Sequence, residues 1–222
     1  MSLLPTVELV SPAGALPKAS IIWLHGLGSD GHDFAGIVPE IHLPDDLAVR
    51  FVFPHAPSMP VTINNGFVMP AWYDILEMDI GRTVDTEQLM QSAAAVHALI
   101  EREVERGIDS RRIILAGFSQ GGAVILQAAL SCPRPLAGAL SLSSYFPTVD
   151  VIVPQVANRE LPILVCHGTR DPVVDETLGK KAEADLRALG HPTQYRNYPM
   201  EHSVCIEEIR DISKWFQERL GQ

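Results

Sequence analysis

The chain has 222 residues, of which 46% are hydrophobic and 20% charged, so it is long enough for one sizeable core and too apolar for a disordered chain. Seventeen Lys and Arg against 27 Asp and Glu leave a formal charge of −10. The densest basic stretch, Arg102 to Arg112, is interrupted by Glu103, Glu105 and Asp109, so there is no basic stripe to meet phosphates and no nucleic-acid partner is expected.

From the N-terminus, Met1-Ser2-Leu3-Leu4-Pro5 precedes any Lys or Arg and does not read as a secretory leader. Ala19 to Leu24, Arg50 to Phe53, Ile113 to Ala116, Ala137 to Leu142 and Ile163 to Cys166 are short, almost wholly apolar runs. Runs without alternation are how strands buried on both faces read, which predicts a mostly parallel sheet between helices. Pro54 to Tyr73 carries four prolines and Asn64-Asn65-Gly66, and reads as a long irregular excursion with a small hairpin. Leu89, Ala93, Val96, Ile100 and Val104 predict a helix capped by Thr86 and stopped at Gly107. Residues 122–130 predict a second helix. Leu178, Ala182, Leu186 and Leu189 predict a third ending at Gly190, and Ile209, Ile212, Phe216 and Leu220 a fourth. Strand and helix alternation predicts one α/β domain over residues 1–222. Nothing reaches 18 consecutive apolar residues, so no integral membrane association is expected. Cys132, Cys166 and Cys205 lack CxxC spacing and read as small hydrophobes in a reducing, cytoplasmic setting, with no metal site.

The chemistry starts at Gly117-Phe118-Ser119-Gln120-Gly121, a G-x-S-x-G between a predicted strand and a predicted helix. That context suits a nucleophile elbow, in which a sharp turn exposes the serine oxygen above the sheet edge. A serine hydroxyl needs a base, and the base needs an orienting acid, in the chain order Ser, Asp or Glu, His. Asp171, just past a buried strand, is the expected acid and Asp175 its rival. His202, in the loop before the last helix, is the expected base. His191 is its rival, read as solvent-exposed in a Gly-His-Pro turn, and His167 breaks the order. The backbone N–H of Gln120 is one expected oxyanion donor. That of Leu27, in the Gly-rich turn after the first buried strand, is the other. His25, just before that turn, reads as a structural hydrogen-bonding residue. Ile63, Phe67, Val68, Met69 and Trp72 in the excursion are candidates to wall the substrate pocket. Neither GxxxxGK[ST] nor GxGxxG opens a helix, and no cofactor is expected.

Trp23 to Gly28, Phe53-Pro-His-Ala-Pro57, Pro60 to Asn64, Met69-Pro-Ala-Trp-Tyr-Asp74, Ala116 to Ala123, His167 to Val173 and Tyr198 to His202 together resemble the carboxylesterase/acyl-protein thioesterase family of small α/β-hydrolases. The resemblance covers nearly the whole chain. It implies an α/β-hydrolase fold, a triad of Ser119, Asp171 and His202, and an oxyanion hole at Leu27 and Gln120. It also implies hydrolysis of carboxylic esters and, in some members, of acyl-protein thioesters, through an acyl-enzyme and without a cofactor. The apolar excursion and the lack of any phosphate cradle or Arg cluster add the expectation of short to medium acyl chains on a small ester or acyl-thioester. A homodimer is compatible with it. The alternatives are an acyl-protein thioesterase or lysophospholipase and, outside enzymes, a hydrolase-fold binding protein. One departure stands out: family members usually carry Gly before the catalytic His, and this chain has Glu201.

Overall fold

The computed structural model describes residues 3–77 and 83–221; Met1 and Ser2, read above as part of the N-terminal stretch, lie outside the described residues. Nine strands occur among the described residues. They are β1 (Thr6–Ser11), β2 (Ala19–Leu24), β3 (Val49–Pro54), β4 (Ser58–Val61), β5 (Phe67–Pro70), β6 (Ile113–Phe118), β7 (Gly138–Leu142), β8 (Ile163–Gly168) and β9 (Thr193–Tyr198). The longer helices are α1 (Thr86–Glu105), α2 (Gln120–Ser131), α3 (Glu176–Ala188) and α4 (Ile206–Leu220). Seven strands form a sheet in the order β1-β3-β2-β6-β7-β8-β9. Only β1 runs antiparallel to its neighbour.

The apolar runs become central strands because both of their faces are covered. In β2, Ile22 and Leu24 point into a core shared with α1, α2 and α3, whereas Ile21 and Trp23 point into a core shared with α4. The same alternation recurs at Ile113 and Leu115 against Ile114 and Ala116 in β6. Period-two geometry with two apolar faces leaves few polar positions, such as Ser20 in β2 and Arg50 in β3, which is why these strands read as almost wholly apolar runs.

The sequence reading did not anticipate β1. Thr6–Ser11 is a half-exposed edge strand that mixes Thr, Glu and Ser with its apolar residues, so it lacks the apolar run. Charge helps to hold it: Glu8 accepts from Arg102 at 2.9 Å and Arg106 at 3.0 Å. Behind it the fully buried Glu103 accepts from Arg50 at 2.7 Å and Arg106 at 2.9 Å. Part of the densest basic stretch is thus spent on internal pairs. Capping also differs from expectation. Asp85, not Thr86, is the N-cap of α1, its side chain accepting from the Gln88 N–H, because Thr86 already has its place in the first turn. The excursion after β3 does contain a hairpin, β4–β5, turning through Asn65 (φ 55°) and Gly66 (φ 74°). No helix among the described residues is long and apolar enough to cross a membrane.

One buried group carries a pH prediction. Glu208, in the first turn of α4, is fully buried, and no side chain hydrogen-bonds its carboxyl. Burial outweighs a main-chain hydrogen bond from Cys205 and, with Asp211 adding repulsion, pushes its carboxyl up to about 8. The folded chain therefore keeps a proton that the unfolded chain releases at ordinary carboxyl pH, and this group's contribution to stability falls as pH rises from about 5 to 8. Glu208→Gln should be more stable than the wild type at pH 8, by on the order of a few kcal/mol, with the gap closing toward pH 5. Urea midpoints at the two pH values measure it; a gap of equal size at both would assign the effect to packing instead.

Candidate active site

Strand order directs attention to one crevice. β3 lies on one side of β2 and β6 on the other, so the direction of winding switches between β2 and β6, and ligands of open α/β sheets bind outside the carboxyl ends at such a point. The β2–β6 register pairs Leu24 with Gly117, which sets the turn after β2 beside the turn after β6. Phe118 pairs with Leu142 and Gly168 with Tyr198. The loops after β7, β8 and β9 therefore open on the same edge of the sheet.

Ser119 occupies the sharp turn between β6 and α2, with φ 53° and ψ −120°. A non-glycine residue at positive φ costs about 1–3 kcal/mol and persists only where its surroundings fix it. Here the Ser119 N–H donates to the Leu142 carbonyl at 2.8 Å, and the Ser144 hydroxyl donates to the Ser119 carbonyl at 2.6 Å. The flanking glycines are required by close approach. A Cβ on Gly117 would collide with the Gly121 carbonyl, and one on Gly121 would stand 2.6 Å from the His25 carbonyl oxygen.

Asp171 follows β8 by three residues and His202 follows β9 by four. His202 Nδ1 lies 2.7 Å from Asp171 Oδ2, while Asp171 Oδ1 accepts from the N–H groups of Val173 and Val174, each at 2.8 Å. Burial works to raise the Asp171 pKa, but the hydrogen bonds from His202 and the two N–H groups outweigh it and hold the carboxyl below its ordinary value. The Asp171 side chain is fully buried and that of His202 is 16% exposed. The Phe118 ring lies 4.6 Å from the imidazole, centroid to centroid. This pair can orient an imidazole with Nδ1 protonated and Nε2 free to accept a proton.

The rival groups have other work. Asp175 caps α3 by accepting from the Thr177 N–H at 2.9 Å. His167 is buried, with Nε2 2.8 Å from the Val174 carbonyl; burial lowers its pKa against the pull of that carbonyl. His25 accepts the Ala56 N–H at Nε2 (3.1 Å), which fixes Nδ1 as the donor to the Gly26 carbonyl (2.7 Å). It ties the turn after β2 to the segment after β3, and burial keeps its pKa low. His191 corrects an expectation: it is 4% exposed rather than in solvent, and neither ring nitrogen has a partner. The turn that carries it folds back under α3, where its N–H donates to the Leu186 carbonyl. Cys132 and Cys166 are buried, and Cys205 is the half-buried N-cap of α4. No group of three His, Cys, Asp or Glu able to hold a metal ion occurs among the described residues.

The turn after β2 presses on the elbow: a Cβ on Gly26 would meet Phe118 Cδ1 at 3.2 Å and Ser119 Cβ at 3.5 Å. Turn hydrogen bonds use the N–H of Gly28 to Pro70 and of Ser29 to Gly26, and leave the Leu27 and Gln120 N–H groups out. Gln120 does more than its backbone suggested. Its Oε1 accepts the Trp72 N–H at 2.8 Å and its Nε2 donates to the Tyr73 carbonyl at 2.6 Å, so it clamps the Trp72-Tyr73 segment onto the elbow.

A cavity of about 350 Å³ opens over Ser119, walled by Leu27, Ile63, Ile75, Tyr145, Val173 and His202, with Ser29, Asp33 and Asn64 among its polar lining. Of the pocket candidates, Ile63 lies in this wall. Phe67 does not: it is 68% exposed on the hairpin, as Val68 is at 59%, because the β4–β5 pair carries both residues away from the sheet edge. Met69 is half-buried, close to Gly28, and outside the wall. Trp72 is buried in the core, its indole N–H donating to the His25 carbonyl at 2.9 Å; a main-chain partner inside the fold claims its polar edge. Ile75, Tyr145 and Val173 were missed. Their signal was position, since Tyr145 and Val173 sit just past β7 and β8 at the edge where the elbow lies. Glu201 is exposed, and its carbonyl lies where a Cβ on Gly168 would be.

The phospholipase/carboxylesterase family profile matches residues 6–220. Acyl-protein thioesterase 1 of Neurospora crassa is 39% identical over 96% of this chain and 91% of that protein. Its namesake in Gibberella zeae is 37% identical over 96% and 95%. Among solved structures, acyl-protein thioesterase 2 of Zea mays superposes with a TM-score of 0.85 at 29% identity, covering 97% of this chain and 99% of that one.

Proposed function

Since the chain belongs to the phospholipase/carboxylesterase family, and so is an α/β-hydrolase acting on carboxylic esters or thioesters, we propose that Ser119 is its nucleophile, His202 its base and Asp171 the acid that orients the base. The observation that carries this reading is the 2.7 Å contact of His202 with Asp171 in the cavity that also holds the strained Ser119. His202 Nε2 takes the Ser119 proton as the oxygen attacks the carbonyl carbon. The leaving alcohol or thiol then receives that proton as its bond to carbon breaks, leaving an acyl-enzyme. Water repeats the sequence and frees the acid. The N–H groups of Leu27 and Gln120 are the donors for the oxyanion, at the positive end of α2. Nucleophile, base and electrophilic donors all come from the chain, so the reaction requires no cofactor.

For the acyl half we propose short to medium chains. A cavity of about 350 Å³ is near the lower end of the roughly 300–1,000 Å³ usual for small-molecule sites. A second reading, an acyl-protein thioesterase with a long chain, is favoured by the relatives' names and by a neighbouring cavity of about 450 Å³ that shares Tyr145. A series of p-nitrophenyl esters from C2 to C16 separates the two. We expect kcat/KM to peak below about C10 and to fall at C16. A steady rise to C16 would decide for the thioesterase.

A further inference from the structure

Among the described residues, the wall of the Ser119 cavity contains one carboxylate, Asp33, and no Lys or Arg. Asp33 sits beyond the Leu27 turn, where its N–H donates to the Asp30 carbonyl. It is exposed at the rim. Asp30, on the same turn, has its own carboxylate engaged by the His32 N–H at 2.7 Å. No cation pairs with Asp33 among the described residues. The wall is therefore asymmetric: Ile63, Ile75, Tyr145 and Val173 supply an apolar surface, while Asp33 with Ser29 supplies a polar, anionic rim.

We infer that Asp33 is a specificity residue that favours substrates carrying a positive charge on the alcohol or thiol half. The inference rests on the assignment of Ser119 as nucleophile. The physical argument concerns which half of the ester lies where. The acyl half stays bound through the second step and gains from the apolar surface. The other half leaves first and must reach solvent, so it belongs at the exposed, charged rim. A cation held about 6 Å from the Asp33 carboxylate, at an effective dielectric near 60, gains roughly fivefold in binding. The attraction shrinks with salt because the rim is open to solvent.

The test compares choline butyrate with 3,3-dimethylbutyl butyrate, which has carbon in place of the quaternary nitrogen. Both give the same acyl-enzyme, so their ratio of kcat/KM reports the leaving half alone, and it is independent of how much enzyme is folded. We expect the wild type to prefer the choline ester about fourfold near 10 mM ionic strength and less than twofold near 0.5 M. Asp33→Asn should bring the ratio near one, Asp33→Glu should keep the preference, and Asp33→Lys should reverse it. A wild-type ratio of one, or a preference that survives Asp33→Asn, would overturn the role of Asp33. Hydrolysis of the neutral ester that survives Ser119→Ala would instead overturn the nucleophile assignment.

Discussion

Ser119→Ala is expected to lower kcat by about 10⁴ to 10⁶ while leaving the fold in place. The turn is held through main-chain groups that alanine keeps: the N–H to Leu142 and the carbonyl that accepts from Ser144. The Cβ is also retained, so no cavity opens. What disappears is the oxygen proposed to form the acyl bond, and the residual rate would come from binding and the Leu27 and Gln120 N–H groups. Ester turnover measured beside a thermal melt checks both halves. A variant that melts like the wild type and keeps more than about a tenth of the activity would remove Ser119 from the mechanism.

Asp171→Asn should cost about 10³ to 10⁴ in kcat, for a reason specific to this site. Oδ1 of Asp171 accepts two N–H donors, from Val173 and Val174. An asparagine must put its oxygen there, because its NH₂ would face two donors. The NH₂ is then turned toward His202 Nδ1, which can meet it only as an acceptor. That fixes the imidazole with its proton on Nε2, the nitrogen that must be empty to take the Ser119 proton. Loss in kcat with a small change in KM would fit. A fall of less than tenfold would mean that other contacts, such as the Phe118 ring at 4.6 Å, suffice to orient His202.

Much of this was readable in the chain because it is local. The elbow is written in consecutive residues: a run of β-formers, glycines two positions either side of Ser119, then helix formers. Asp171 and His202 were legible for the same reason, each a short step past a strand. Strands covered on both faces announce themselves by short runs with almost no polar position. These are properties of a few neighbouring residues and of the periodicity of the backbone.

Other features depended on what lies across space. Thr6–Ser11 became a strand because β3 offered an edge and Arg102 and Arg106 a partner for Glu8. His191 is buried and Phe67 exposed, against the local composition of their turns, because the packing of α3 and the path of the hairpin decide their surroundings. Trp72, read as a pocket residue, is held inward by His25 and Gln120. Tyr145, Val173 and Asp33 reach the Ser119 cavity from three separate loops. Their meeting is fixed by the register of β2 on β6, of β6 on β7 and of β7 on β8. The sequence therefore determined which residues can carry the chemistry, since reactivity and turn geometry are local. Only the tertiary structure decided what surrounds them, because burial and cavity walls are contributed by residues far apart in the chain.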